Sequence, residues 1–112
     1  MIRKKILSRD RVRSIDKSFC FIPHRFLTDG FLQSLTRHEL ALYVFLVLAS
    51  DKHGLSFYSD RSICSILGLV EEEYLFARSC LIHKDLITYD GTLFQVLSLP
   101  ATAHKASERA VR

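Results

Sequence analysis

The longest unbroken apolar run in the chain covers residues 40–49, and the residues before it mark the start of a helix. Thr36 and Glu39 form a capping-box pattern, in which a hydroxyl and a carboxylate satisfy backbone N–H groups that a first helical turn leaves unpaired. We expect the helix to end near Ser50 or Asp51, before a glycine suited to a left-handed cap. Because the helix is apolar on nearly every face, neighbouring segments should cover it on nearly every side.

Apolar spacing on either side of this run predicts further helices and a small β-hairpin. Residues 24–35 have roughly helical spacing with an interruption at Gly30, so this first helix should be bent or split there. Ser59 is a good N-cap for the helix that follows the central one. The remaining predicted elements are an edge strand or packed arm at 19–23, a β-like stretch at 54–58, helices at 60–67 and 71–84, and strands at 86–89 and 92–99 joined by a two-residue type I′ turn at Asp90-Gly91.

These elements predict a fold that is mainly α with a small β-hairpin, in the α+β class. One core is expected, because the chain has 112 residues and 48% hydrophobic content. In that core, the central helix should contribute Leu40, Val44, Val47 and Leu48. The partners that we expect on the other elements are Ile63, Leu67, Tyr74, Ala77, Leu81, Ile87 and Val96.

Charge divides the chain into a basic arm, a domain and a tail. Residues 1–17 contain seven Lys or Arg against two Asp, whereas residues 18–100 have a net charge of −3. Residues 101–112 are polar and basic without a folding pattern, so we predict a disordered tail. The net charge of +4 therefore comes from the two ends. A basic arm of this kind either contacts nucleic-acid phosphates or is a solvated, disordered end, and composition leaves both interpretations open.

Sequence signals for export, membranes and disulfides are missing. No secretory or transit signal precedes the central helix, which is far too short to cross a bilayer about 30 Å thick, so we expect a cytoplasmic protein with no membrane partner. The three cysteines are odd in number and set among apolar neighbours, which suits reduced thiols.

Catalytic and cofactor motifs are also missing from the sequence. There is no glycine-rich phosphate loop, no G-x-S-x-G and no pair of carboxylates in an apolar setting, so we expect no enzyme, no cofactor and no small-molecule substrate. Cys80 and His83 are three residues apart and could share a metal with Cys64 or His53. A buried thiol beside a surface imidazole is the commoner explanation of that spacing, and we assign no metal.

Residues 59–87 resemble the winged helix-turn-helix superfamily. Residues 59–69 are similar to its S-x-x-x-I-A-x-x-L-G-[LI] pattern, with Cys64 in place of the usual alanine. Ala77 and residues 81–87 resemble its A-x-x-x-L-x-x-x-G-L-I ending. Residues 21–100 look most like the winged-helix modules of DnaD-type and plasmid or phage replication initiators, and like small helix-turn-helix proteins of mobile elements.

This resemblance implies a winged-helix protein that binds DNA and catalyses no reaction. Its role would be transcription regulation, or an accessory part in replication initiation or transposition of a mobile element. The second helix of the pair, residues 71–84, would enter the major groove. The candidate DNA contacts are Arg61, Ser79, His83 and Lys84 on the domain, and Arg3, Lys4, Lys5, Arg9, Arg11, Arg13 and Lys17 in the arm.

The predicted recognition helix departs from the family pattern. Glu71, Glu72 and Glu73 suit the dipole at the helix start but repel DNA, and the outward side lacks Arg, Lys, Asn and Gln, the usual base readers. The alternative is a protein-interaction or dimerisation module that does not read DNA, with a second copy or another protein as partner. Its candidate contacts form an apolar patch with an acidic rim: Glu72, Glu73, Leu75, Phe76 and Ile82. A third interpretation is that the N-terminal arm covers some of these apolar residues, with Phe19 and Phe21 as candidates.

Overall fold

The computed structural model describes residues 2–15 and 18–103, and its elements are arranged around one helix. This helix, α2, extends over Arg37–Ala49. The N–H of Glu39 donates to Thr36 Oγ1 at 3.2 Å, and the N–H of Thr36 donates to Glu39 Oε1 at 3.2 Å. The predicted capping box is therefore confirmed, and Ser50 follows the last helical residue as expected.

Further helices and three short strands surround α2 in the described residues. The helices are α1 (Arg25–Thr28), α3 (Asp60–Leu67) and α4 (Glu71–His83), and a 3₁₀ turn at Leu32–Ser34 follows α1. The strands are β1 (Leu55–Ser56), β2 (Ile87–Tyr89) and β3 (Phe94–Val96). The predicted α+β fold class is confirmed, and the architecture is compatible with a winged helix.

The first predicted helix is divided at Gly30, as expected. Gly30 has φ +85°, a left-handed conformation that a helix interior does not adopt, so α1 ends and a separate 3₁₀ turn forms. Phe26 of α1 and Phe31 are both buried. The ring of Phe26 stacks on that of Tyr43 in α2 with centroids 4.9 Å apart, so this segment covers one side of α2.

The three strands form an antiparallel sheet in the order β1-β3-β2. Gln95 in the central strand lies opposite Leu55 on one side and Thr88 on the other. The carbonyl of Gly54, just before β1, accepts a hydrogen bond from the N–H of Val96 at 2.8 Å. A Cβ at residue 54 would lie 2.5 Å from the Val96 oxygen, so only glycine permits this close contact between β1 and the hairpin.

The hairpin tip differs from the predicted two-residue turn at Asp90-Gly91. The last strand pair is Tyr89 opposite Phe94, so four residues connect β2 to β3. The N–H of Asp90 donates to the carbonyl of Leu93 at 3.2 Å, while the Asp90 carboxylate accepts from the N–H of Leu93 at 2.7 Å. The side chain thus takes a hydrogen bond that a backbone carbonyl would otherwise accept, and the tip moves by one residue. Gly91 has φ +99°.

The buried face of α2 agrees only in part with the one that the sequence analysis selected, since Val47 is buried and Leu40 packs against the core. Its buried residues follow one helical stripe and are Glu39, Leu42, Tyr43, Leu46 and Val47. Val44 is only half-buried and Leu48 is 66% exposed, so their assignment to the core was wrong. Because every residue from 40 to 49 is apolar, periodicity alone does not say which face points inward. Glu39 identifies the inward face, because its carboxylate binds buried partners.

Most of the predicted core partners on the other elements are confirmed. Buried among them are Ile63, Tyr74, Ala77, Leu81 and Ile87. Leu67 and Val96 are half-buried and pack against this core. The hairpin adds a fully buried aromatic side chain, Phe94, which contacts Tyr89 with ring centroids 4.2 Å apart.

Residues 19–23 do not form the predicted edge strand. Alternate side chains of this segment face opposite ways: Cys20 and Ile22 pack against the core, whereas Phe19 and Phe21 are 67% and 73% exposed. The other interpretation, an arm packed over the core, holds for Cys20 and Ile22 but not for Phe19 and Phe21. The side chains of Cys20, Cys64 and Cys80 are all half-buried. Within the described ranges, no helix is long and apolar enough to cross a membrane.

A buried ion pair joins the start of α2 to the end of α4. Lys84, the residue after α4, is 2% exposed, and its Nζ donates to Glu39 Oε1 and to the carbonyl of Ser34, each at 2.6 Å. Glu39 is fully buried. Removing one partner of such a pair strands the other charge in the interior, which is strongly destabilising. The ion pair therefore fixes the end of α4 against the start of α2 and the 3₁₀ turn just before it.

Leu46→Ala should destabilise the domain by about 2–5 kcal/mol, because the deleted methyl groups leave a cavity in a closed core. Leu48→Ala on the same helix is the control, and it should change the free energy of unfolding by less than about 0.5 kcal/mol because Leu48 is exposed. Equilibrium unfolding in urea measures both. Equal losses at the two positions would contradict the observed orientation of α2.

Lys84→Met should cost about 3–5 kcal/mol of stability, because it leaves the Glu39 carboxylate buried without its cation. Glu39→Gln keeps an oxygen for the N–H of Thr36 and removes the charge. The double variant should therefore be more stable than the sum of the single losses, by about 1 kcal/mol or more in a double-mutant cycle. Additive losses in urea unfolding would show that the two side chains are not coupled.

Candidate nucleic-acid interface

Helices α3 and α4 form a helix pair joined by a tight turn at residues 68–70. Ser59 precedes α3, and its Oγ accepts a hydrogen bond from the N–H of Ser62 at 3.1 Å, as predicted for an N-cap. The α3 helix is capped at its end by Gly68, which has φ +69°. The N–H of Val70 donates to the Glu73 carboxylate at 3.0 Å, which closes the start of α4. Local signals in the sequence thus position α4 against α3.

The inward side of α4 agrees with the sequence analysis, and so does the outward side except at Leu75, which packs against the core instead of being exposed. Tyr74, Ala77 and Leu81 are buried. The opposite side has i, i+3, i+4, i+7 spacing, and we call it the α4 face: Glu72, Leu75, Phe76, Ser79, Ile82 and His83. Phe76 is 65% exposed, Ile82 is 37% exposed and Leu75 is half-buried against the core. Since the α4 face contains no Arg, Lys, Asn or Gln, it lacks the side chains that read base edges best.

The first turn of α4 is acidic. Glu71 and Glu72 are exposed, while Glu73 holds the N–H of Val70 and lies 3.8 Å from Nε2 of His38. Three carboxylates stabilise a helix start through the dipole. The same charges repel a phosphate, so this helix end does not offer the anion site that helix starts commonly provide.

Arg78, the arginine of α4, is already engaged and was not among the candidate contacts. Its Nη1 donates to Asp60 Oδ1 at 3.3 Å and to the Tyr74 hydroxyl oxygen at 3.3 Å. Its guanidinium lies 4.6 Å above the ring of Tyr89 in β2. Arg78 therefore links α3, α4 and the sheet. The i, i+4 spacing of Tyr74 and Arg78 is the sequence signal that would have suggested this contact.

The hydroxyl of Tyr74 completes this cluster. It donates to Asp60 Oδ1 at 2.6 Å. Burial, and then the hydrogen bond to Asp60, raise the pKa of Tyr74 well above its ordinary value. The hydroxyl consequently stays protonated and keeps donating, which holds Asp60 and Arg78 in place.

Lys84, one of the predicted DNA contacts, is not available to DNA. It is buried in the ion pair with Glu39, so that prediction was wrong. A lysine after a helix is usually solvated, and only the distant Glu39 and Ser34 explain its burial here. Arg61, Ser79 and His83, the other domain candidates, are exposed.

A small open pocket lies where α3 meets the start of α4. Its volume is about 240 Å³, and it is lined by Asp60, Arg61, Cys64 and Glu71. Burial raises the pKa of Cys64, and the charges of Asp60 and Glu71 raise it further. The thiol is therefore a poor nucleophile. Among the residues that the structure describes, no group of three His, Cys, Asp or Glu side chains is placed to hold a metal ion.

The third interpretation of the apolar patch, that Phe19 and Phe21 cover it, was wrong. Both rings are themselves exposed, because the neighbouring Cys20 and Ile22 are the side chains that turn towards the core. Phe76 and Ile82 thus remain accessible on the α4 face.

The basic arm, residues 2–15 as described, is exposed along its whole length. The arm contains a 3₁₀ turn at Arg9–Arg11. Beside this turn, the Ser8 hydroxyl donates a hydrogen bond to Asp10 Oδ1 at 3.0 Å. No ion pair within the described chain engages the arm's cations. Those cations are Arg3, Lys4, Lys5, Arg9, Arg11 and Arg13. Lys17 and the tail from residue 104 lie outside the described residues.

No protein-family model matches the chain, and no curated protein matches it. Solved structures do. One, a Rep–DNA complex, is 21% identical with a TM-score of 0.53, and the match covers 77% of this chain and 78% of that chain. Another, an N-terminal domain of a DNA-binding protein, is 17% identical with a TM-score of 0.49, and the match covers 90% of this chain and 94% of that chain. The likeness to the first shows that this chain shares its fold with the Rep protein of that complex.

Proposed function

We propose that this chain is a DNA-binding protein of the winged-helix type that contacts phosphates mainly through its basic arm and catalyses no reaction. The observation on which the proposal rests is the row of exposed cations in residues 2–15, none of which is paired with a carboxylate in the described chain. Cations of this kind replace the counterions that surround DNA, and the release of those counterions favours binding.

The charges of the domain also favour the arm, and not the helix pair, as the main phosphate contact. Three of its basic side chains are already paired with carboxylates of the same chain: Arg25 with Asp29 at 2.8 Å on the surface, Arg78 with Asp60, and Lys84 with Glu39. Because the start of α4 is acidic as well, the helix pair offers few phosphate contacts. Arg61, Ser79 and His83 would then be secondary contacts, made once the arm has positioned the domain.

The shared fold adds support, since a protein with this fold is known in a Rep–DNA complex. We therefore favour an accessory role in replication, with transcription regulation and the transposition of a mobile element as the other two roles that such a DNA-binding protein would serve. The protein's own upstream DNA is the natural first target for a binding assay.

Replacing Arg9, Arg11 and Arg13 by Gln should weaken DNA binding about equally on the upstream duplex and on a scrambled one, because phosphate contacts carry no sequence information. The slope of log K against log salt should fall by about 0.9 for each phosphate that the variant no longer neutralises. The matched control replaces Lys105, Arg109 and Arg112 of the tail, which removes the same charge. Fluorescence anisotropy at several salt concentrations measures both. A triple arm variant with the parent's affinity and salt slope would refute the proposal.

The second candidate function is protein interaction through the α4 face, and the exposure of Phe76 beside Glu72 favours it. An accessible aromatic side chain near the middle of a helix, with acidic neighbours, is more typical of a protein contact than of a DNA contact.

Phe76→Ala combined with Ile82→Ala should abolish self-association or partner capture without weakening DNA binding, because apolar anchors dominate protein interfaces. Leu27→Ala with Leu48→Ala is the control, since those two leucines are about as exposed as Phe76 but lie on other helices. Light scattering and DNA titration of the same samples separate the two functions. Loss of association in the control pair as well would argue against the α4 face.

A further inference from the structure

The arm and the α4 face have complementary properties, although each is uncovered in the folded chain. The arm is basic, and its apolar side chains are exposed between the cations. Those side chains are Ile2, Ile6, Leu7, Val12 and Ile15. When another surface covers aliphatic side chains that are this exposed, the free energy falls because apolar area is removed from water. Contacts with phosphates alone do not account for these five exposed apolar side chains.

The α4 face has the opposite charge and the same apolar character. Phe76 and Ile82 are its accessible apolar side chains, and Glu72 lies one turn before Phe76. Glu71, beside the face, adds a second exposed carboxylate. Since Glu73 is used to close the helix start, Glu71 and Glu72 are the carboxylates that remain for a cationic partner.

We propose that the α4 face binds the basic arm of a second copy of this chain, so that two copies exchange arms. The carboxylates of Glu71 and Glu72 would pair with arm arginines, and Phe76 would contact the aliphatic side chains between them. This inference does not rest on DNA binding.

Exchange between two copies is favoured because the arm does not lie on the α4 face of its own chain. All its side chains are exposed, and its described hydrogen bonds, such as the one from Ser8 to Asp10, are internal. Fourteen extended residues reach about 45 Å, and a 13-residue helix is about 20 Å long, so one arm can follow the whole face. Each copy has one arm and one α4 face, so in a two-fold dimer each arm can bind the α4 face of the other copy.

DNA would compete with this dimer for the same cations. The arm cannot neutralise phosphates and the carboxylates of a partner at once, so DNA binding should release the exchanged arms. The dimer would thereby keep the arm from non-specific anions until DNA is present.

A charge exchange between the two surfaces tests the proposal on full-length chains without DNA. The basic-face variant has Glu71→Lys and Glu72→Lys. The acidic-arm variant has Arg9→Glu, Arg11→Glu and Arg13→Glu. In either variant alone the arm and the α4 face have the same sign of charge, so we expect a monomer in sedimentation velocity. In the equimolar mixture each arm meets a face of opposite sign, and we expect a heterodimer that added salt dissociates.

Two further variants of the parent complete the experiment. Phe76→Ser should weaken the parent's self-association by about tenfold or more, whereas Leu48→Ser, at an equally exposed position on α2, should leave it unchanged. Circular dichroism confirms that each variant is folded. The proposal is overturned if the parent is a monomer at every concentration, if folded single variants still dimerise, or if their mixture stays monomeric. None of these outcomes depends on DNA, so they leave the proposed function to its own test.

Discussion

The pairing of Lys84 with Glu39 is the interaction on which the rest of the domain depends. The two residues are 45 positions apart, and both side chains are almost completely buried. Glu39 also closes the first turn of α2, and Lys84 also donates to the carbonyl of Ser34. One polar cluster therefore fixes the start of α2, the end of α4 and the turn before α2. Separating a buried charge from its partner has a large free-energy cost, so these three segments have one low-energy arrangement.

The surface charge of the protein follows from this arrangement. With Tyr74 and Leu81 held inward, α4 can only turn Glu72 and Phe76 outward. The domain also uses its own cations internally, as Arg78 and Lys84 show. Among the described residues, accessible positive charge is consequently densest in residues 2–15, which do not take part in the core. The fold and the main candidate contact with DNA are thus separate parts of one short chain, and substitutions in the arm are free of packing constraints.

Much of the fold was predictable because its signals are local. Thr36, Ser59 and Gly30 each act on residues within a turn of themselves, and the structure agrees with the sequence at all three. The orientation of α2 was not predictable, since a helix that is apolar all round has no preferred face in its own sequence. Neither was the burial of Lys84, because its partner belongs to a distant segment. At the candidate site, the sequence identified the inward and outward sides of α4 but not the engagement of Arg78, which depends on Asp60 of α3 and Tyr89 of β2.

The contact between Asp60 and Arg78 also bears on how this surface changes in evolution. The carboxylate holds the guanidinium against Tyr89, yet Asp60 is itself 41% exposed and outside the core. Loss of that one carboxylate by a single codon change would leave both the arginine and the Tyr74 hydroxyl without their acidic partner at the edge of the helix pair. Descendants of such a chain would gain one unit of positive charge at the edge of the helix pair in one step. A protein that now presents an acidic helix to its surroundings thus keeps, one substitution away, an arginine without an acidic partner at the edge of that helix.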